Sequence, residues 1–211
     1  VADISADGKL SNEKILSDTW DAPNGIAWSP DNKWLAYAIS DLYYNQEIFI
    51  QAADNSTKPV NVTMHPRTDS RPFWSADGSK LGFISERSAG RSNDVWFVWL
   101  KKEDWEKETQ DWQERDTPAA ETPPARGNTK PAAPKPIKID FDRIHERLVQ
   151  VTSFAGDESD LVISKDGETF YYTTASSNAK GRDLYSIKWD GKDLKEITKG
   201  GNSPSNVTMD K

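Results

Sequence analysis

Two histidines, His65 and His145, and no cysteine narrow the nucleophilic chemistry open to this chain of 211 residues. A serine nucleophile needs a base within hydrogen-bond reach, and the base must itself be oriented. His65 falls in a loop leading into a repeated unit and His145 at the end of an insertion, and no Gly-x-Ser-x-Gly elbow exists to thrust a serine outward. Without cysteine there is no thiol nucleophile, disulfide or zinc-thiolate site. Paired carboxylates could do glycosidase work. Asp157, Glu158 and Asp160 cluster, and Asp31, Asp77 and Asp166 recur at one place in a repeat. The recurring aspartates are explained by turns. The cluster lacks the alternating ligands and central Gly of a calcium loop, so it reads as a solvated acidic loop. No phosphate-binding Gly loop and no His-rich metal spacing is present. The expectation is a chain with no catalytic residue, no metal ligand and no cofactor.

The elements that carry these residues come from a repeat. Residues 26–37 read IAWSPDNKWLAY, residues 72–83 PFWSADGSKLGF and residues 161–172 LVISKDGETFYY, with a partial echo in ISADGKL at 4–10. Asp-Gly or Asp-Asn between two alternating apolar runs is a tight hairpin turn, because these residues tolerate positive φ. Each copy continues into a third run, such as DVWFVW at 94–99, and a short fourth run ending in Val-Thr or Ile-Thr at Thr63, Thr152 and Thr198. Trp28 and Trp74 lie 46 residues apart, and Trp74 and Ile163 lie 89 apart, which is one unit plus an insertion. Four strands per unit at a period in the forties predict an all-β fold, a β-propeller.

The units divide the chain into a partial blade at 1–18, full blades at 24–63, 70–152 and 158–198, and the first strand of a further blade at 203–211. Fifteen strands leave one blade incomplete, so the expected object is an arc of a larger propeller whose raw edges would pair or oligomerise. The middle blade holds an insertion at 101–147. Its start, KKEDWEKETQDWQER, predicts a helix over 102–115 with Trp105 and Trp112 on one face. Residues 117–136 hold six of the twelve prolines, which predicts a disordered linker over 116–137. A short helical turn is expected between Phe141 and His145.

Composition sets the outer bounds. Twenty-seven Lys and Arg against 34 Asp and Glu give a net charge of −7, which argues against a phosphate-neutralising nucleic-acid binder. No apolar run approaches the roughly 18 residues of a membrane span, and no basic-then-apolar leader stands at Val1, so a soluble or already processed chain is expected. Nine tryptophans in so polar a chain serve as short anchors. Trp28, Phe73, Trp74, Trp96 and Trp99 take strand positions, which predicts core or blade–blade packing.

These units resemble the Trp-Ser-Pro-Asp-Gly repeats of TolB-like propellers. The resemblance is closer to the propeller region of bacterial tricorn-type serine peptidases, which belong with the carboxy-terminal-processing peptidases. It is carried by Asn24 to Tyr37, His65 to Ser75, the Trp-rich strand and acidic helix of Asp94 to Trp112, and residues 145–198. It implies a long polypeptide whose catalytic serine lies further along, so no family catalytic residue maps here. It also implies peptide or unfolded polypeptide as substrate, other domains or subunits as partners, and a periplasmic or other extracytoplasmic site, with a cytoplasmic one left open.

Propellers bind at loop faces. Loops 19–24, 40–46, 64–71, 85–93, 152–160 and 174–182 share one face, and their summed formal charge is only −1. Arg67, Arg71, Arg87 and Arg91 could pair with peptide carboxylates, with Tyr43 and Tyr44 as apolar contacts. The competing reading is that these arginines are solvated or paired with Asp69 and Glu86. Trp105 and Trp112 are candidates for docking to another domain. A free-standing scaffold for a protein partner is the alternative function.

Overall fold

The computed structural model describes residues 1–88, 90–107, 136–175 and 180–208. Three four-stranded antiparallel sheets follow one another along the chain. The first blade is β3 (Asn24–Trp28), β4 (Trp34–Ser40), β5 (Gln46–Ala52) and β6 (Val60–Asn61). The second is β7 (Asp69–Trp74), β8 (Lys80–Ser85), β9 (Asp94–Trp99) and β10 (Leu148–Gln150). The third is β11 (Ser159–Ile163), β12 (Thr169–Ala175), β13 (Arg182–Lys188) and β14 (Lys195–Glu196). A small ribbon, β1 (Asp3–Ile4) with β2 (Leu10–Ser11), precedes them. Strand order follows chain order in every sheet, and β7 touches both β3 and β11, so the first strands gather on the inner side. This is an all-β propeller architecture with almost no helix.

The repeat motif explains itself in the hairpin between the first two strands of each blade. The Ser backbone N–H of Ser29, Ser75 and Ser164 donates to the carbonyl five residues on, at 2.9, 3.0 and 2.8 Å. The Ser hydroxyl accepts the returning N–H of Trp34, Lys80 and Thr169 at 2.9, 2.9 and 2.8 Å. The turn residue must then take φ of 58° at Asn32, 70° at Gly78 and 76° at Gly167, the left-handed region that Gly and Asn tolerate. The opening echo obeys the same rule: Lys9 N–H donates to Ser5 Oγ at 3.1 Å, and Gly8 has φ 80°.

Two apolar clusters fill the gaps between blades. Ala36, Ile48 and Ile50 of the first blade meet Trp74, Leu81 and Phe83 of the second. Ile84, Phe97 and Trp99 of the second meet Ile163, Phe170 and Ile187 of the third. The Trp74 indole donates to the Ala27 carbonyl of the preceding blade at 3.1 Å. Ile163 occupies the same position one blade later and lies over Gly82. The anchor at this position therefore packs against the blade before its own.

Trp28 breaks the pattern. It is 49% exposed and Ile26 is 60% exposed, contrary to the core role expected of that anchor. The physical reason is that no four-stranded sheet precedes the first blade among the described residues. The amino-terminal segment and the returning insertion approach that side instead, with Gln51 Nε2 donating to the Leu16 carbonyl at 2.9 Å. A cleft of about 930 Å³, lined by Asp3, Lys14, Trp28, Trp34 and Ile137, opens there.

The insertion is tied back at both ends. The helix α1 spans Lys102–Trp105, and residues 108–115 of the helix expected over 102–115 lie outside the described residues. Most of the expected linker, 116–135, lies outside them as well. On return, Ile137 N–H donates to Asp31 Oδ2 at 2.8 Å and Phe141 packs on Trp34 at 5.4 Å. A 3-10 turn follows at Ile144–Glu146. The fully buried Arg147 donates to the carbonyls of Trp99, Asp142 and Asp140. Residues 203–208 form no strand where a first strand was expected, and 209–211 lie outside the described residues. Gly200 and Gly201 at φ 99° and 70° turn the chain so that Ser203 N–H bonds back to the Arg182 carbonyl at 2.9 Å.

Candidate peptide-contact face

The start of every first and third strand, and the end of every second and fourth, lie at one end of the blades. At this end each junction carries the same latch. The Thr that closes the fourth strand accepts the N–H of the third strand: Ile48 to Thr63 Oγ1 at 3.0 Å, Val95 to Thr152 at 2.8 Å, Leu184 to Thr198 at 2.9 Å. Its hydroxyl hydrogen then goes to a carboxylate. Thr63 donates to Glu47 at 2.5 Å, Thr152 to Glu158 at 3.0 Å and Thr198 to Asp183 at 3.1 Å. The recurring Val-Thr and Ile-Thr endings are thus structural.

Arg87 belongs to the first latch. Its guanidinium bonds Asp69 Oδ2 at 2.7 Å and the Thr63 carbonyl at 3.3 Å, and lies 5.2 Å from the Trp96 ring and 5.8 Å from that of Phe83. Asp69 is fully buried. Arg87 is therefore committed to the fold, as the competing reading held, and is removed from the set facing a peptide. Burial raises the Glu47 carboxyl above its ordinary value, Asp69 adds to that, and Arg87 opposes it. The backbone N–H of His65 donates to Glu47 at 2.9 Å, and its imidazole is depressed by burial and by Arg87, which favours the neutral ring.

The remaining candidates stay at the surface. Arg91 and Arg71 are exposed and Arg67 half-buried. Arg71 sits in a β-bulge of the inner strand with φ 55°, matched by Gly25 at 58° and Asp160 at 53° in the other blades. A bulge re-aims a side chain, a feature the alternation of residues did not reveal. Tyr43 and Tyr44 are 84% and 79% exposed beside the exposed Leu42, and Tyr44 meets Trp20 edge-on at 6.0 Å. Trp105 is 41% exposed on α1, and Trp112 lies outside the described residues.

The acidic loop differs from its sequence reading. Asp157 is exposed, accepting from Asn93 N–H at 2.9 Å, but Glu158 is buried against Asp94. The signal that could have found it is register: Glu158 stands 89 residues after Asp69, the offset of Trp74 and Ile163. His65 lies in the loop before β7 and His145 in the 3-10 turn before β10. Among the described residues no group of three or more His, Asp or Glu is arranged to hold a metal ion, and no helix is long and apolar enough to cross a membrane.

The fold agrees with that of known proteins. A curated relative, "Putative Tricorn-like protease C-terminal subunit" from Sulfurisphaera tokodaii, is 33% identical over 80 residues, 38% of this chain and 9% of the relative. The crystal structure of the tricorn protease superposes with a TM-score of 0.61 at 13% identity, covering 90% of this chain and 19% of that one. This is a propeller segment similar to those of tricorn-type proteases. The structure of putative TolB from Agrobacterium tumefaciens gives a TM-score of 0.54 at 14% identity, covering 85% of this chain and 50% of that one. The tricorn-type resemblance thus spans a small fraction of proteins several times longer. No protein-family model matches the chain.

Proposed function

We propose that this chain is the non-catalytic propeller portion of a tricorn-like serine peptidase, which admits or holds peptide substrates and packs against other domains of its assembly. The observation that carries the packing role is the exposed anchor. Trp28 and Ile26 stand bare at positions whose equivalents in the next two blades are covered by a neighbouring blade. An apolar patch of this kind marks an interaction surface. The peptide role is supported by surface cations at Arg67, Arg71 and Arg91, set on the same end of the blades as Tyr43 and Tyr44. Arginine offers bidentate pairing to carboxylates, and tyrosine offers a rigid amphipathic surface. An extracytoplasmic site goes with this reading.

The test is fluorescence anisotropy of a labelled, unfolded casein titrated with the purified chain. The expected result is micromolar binding without hydrolysis, weakened about tenfold by Arg67→Ala, Arg71→Ala and Arg91→Ala together, or by Tyr43→Ala with Tyr44→Ala. Binding unaffected by both sets, or absent, refutes the peptide role. Hydrolysis by the purified chain refutes the non-catalytic one.

A further inference from the structure

The junction between the second and third blades holds two buried carboxyl groups that the proposed function does not use. Asp94, which opens β9, is fully buried, and Glu158, just before β11, is 1% exposed. Their side chains stand within hydrogen-bonding reach of one another. Thr152 Oγ1 donates to Glu158 Oε2 at 3.0 Å, and Gln150 Nε2 donates to Asp94 Oδ2 at 3.3 Å. That leaves Asp94 Oδ1 and Glu158 Oε1, both buried and neither with a donor. Two facing acceptors are satisfied together by one proton held between them, as in other buried carboxyl pairs.

The preceding junction shows what is missing. There Glu47 and Asp69 hold the equivalent positions, and the Arg87 guanidinium pairs with Asp69 and opposes the rise of Glu47. Counting on from Arg87 by 89 residues, the offset of Trp74 and Ile163, the sequence has a serine at 176 and no cation, and that residue lies outside the described residues. The groups around the pair do not replace the cation: the hydroxyls of Ser88 beside Asp94 and of Thr174 beside Glu158 are neutral. Asp157 is a further negative charge, and Tyr172 on β12 packs beside Glu158 as a neutral phenol. Arg182 on β13 spends its guanidinium on the carbonyls of Asp157 and Thr173, at 2.6 and 2.7 Å. Arg91 in the loop before β9 is exposed. Gln150 from β10 brings an amide, not a charge.

We propose that Asp94 and Glu158 share one proton in the folded protein and that the seam between the second and third blades is a pH-sensitive joint, tight when protonated and loosened when the proton leaves. Burial supports this by pushing the Glu158 carboxyl up to about 8 from an ordinary 4.5. The sign follows from linkage. The fold holds a proton that the unfolded chain releases near pH 4.5, so stability from this pair is full below that pH and is lost as pH rises toward about 8. The joint stands whether or not the loop face above it holds peptides.

Urea unfolding of the full chain and of Glu158→Gln at pH 5 to 9 tests the joint. The glutamine amide donates to Asp94 without a titrating proton. The folding constant of the parent protein should fall relative to the variant by up to about tenfold per pH unit between pH 5 and 8, then level. Exchange of the Val95 amide should quicken over the same range while that of Ile48 lags. Parallel stability curves for the two proteins overturn the proposal. Carbon-13 titration of the Glu158 carboxyl in the parent protein decides the matter even if the variant fails to fold: a midpoint near 8 supports the joint, and one near 4.5 overturns it.

Discussion

Replacing Arg87 by Met should be among the most destabilising single changes in the chain. The side chain is 9% exposed and the Asp69 carboxylate it bonds at 2.7 Å is 0% exposed, so the pair is buried. Asp69 Oδ1 already has no donor, which makes the guanidinium its chief compensation. Removing one partner of a buried pair costs about 3–5 kcal/mol, because the other charge is left without an answer. Lost contact with the Trp96 face at 5.2 Å adds on the order of 1 kcal/mol. Methionine preserves much of the apolar stem and so isolates the charge. Urea unfolding at pH 7, followed by far-ultraviolet circular dichroism, reads the loss. A second variant, Asp69→Asn with Arg87→Met, should recover about half of it, since the stranded charge is gone. A loss below about 1 kcal/mol for Arg87→Met, or no recovery in the double variant, would refute the argument that Arg87 is held by the fold. It would return Arg87 to the surface set.

Three further outcomes follow from the blade geometry. Trp74→Ala should cost about 3–5 kcal/mol by urea unfolding, whereas Trp28→Ala, at the same repeat position but 49% exposed, should cost no more than about 1 to 2 kcal/mol; equal losses would mean that Trp28 is buried. Gly167→Ala forces a Cβ to within 2.8 Å of the Asp77 carboxylate at φ 76°, so it should lower stability by about 1–3 kcal/mol and shift the thermal midpoint down. Thr152→Val keeps the shape but strips Val95 N–H of its acceptor and Glu158 of a donor, so it should cost about 1–3 kcal/mol and speed exchange of the Val95 amide.

Much of the fold was legible because its signals are local. A hairpin that needs Ser to accept one N–H and Asn or Gly to take positive φ writes those residues at fixed offsets, and Ser29–Asn32, Ser75–Gly78 and Ser164–Gly167 carry them. The Thr endings are equally local. What was hidden depends on neighbours across a junction. Nothing in the string Asp157-Glu158-Ser159-Asp160 distinguishes its exposed first member from its buried second. Nothing in the WSPDN of the first blade says that Trp28 lacks the sheet that Trp74 enjoys. The bulge at Arg71 is hidden for a similar reason, since its matched positions are Gly25 and Asp160 and no single residue type marks it.

The three latches share one frame and differ in what answers the buried carboxylates. The first uses a guanidinium, from Arg87. The third lies over Gly201, whose N–H reaches both oxygens of Asp183 at 3.1 and 3.0 Å. The middle one is met by neutral groups, Thr152, Gln150 and the Ser88 and Thr174 hydroxyls, with Asp94 Oδ1 and Glu158 Oε1 buried and without a partner. A guanidinium keeps its charge across the ordinary pH range, and a backbone N–H does not titrate at all. Only a shared proton can be lost near neutral pH. An arginine-neutralised seam and a proton-neutralised seam therefore respond differently to the same rise in pH, although their strands and threonines are alike. Identical repeats would answer pH together. Unlike compensation gives this segment one seam that can yield while the seam before it holds.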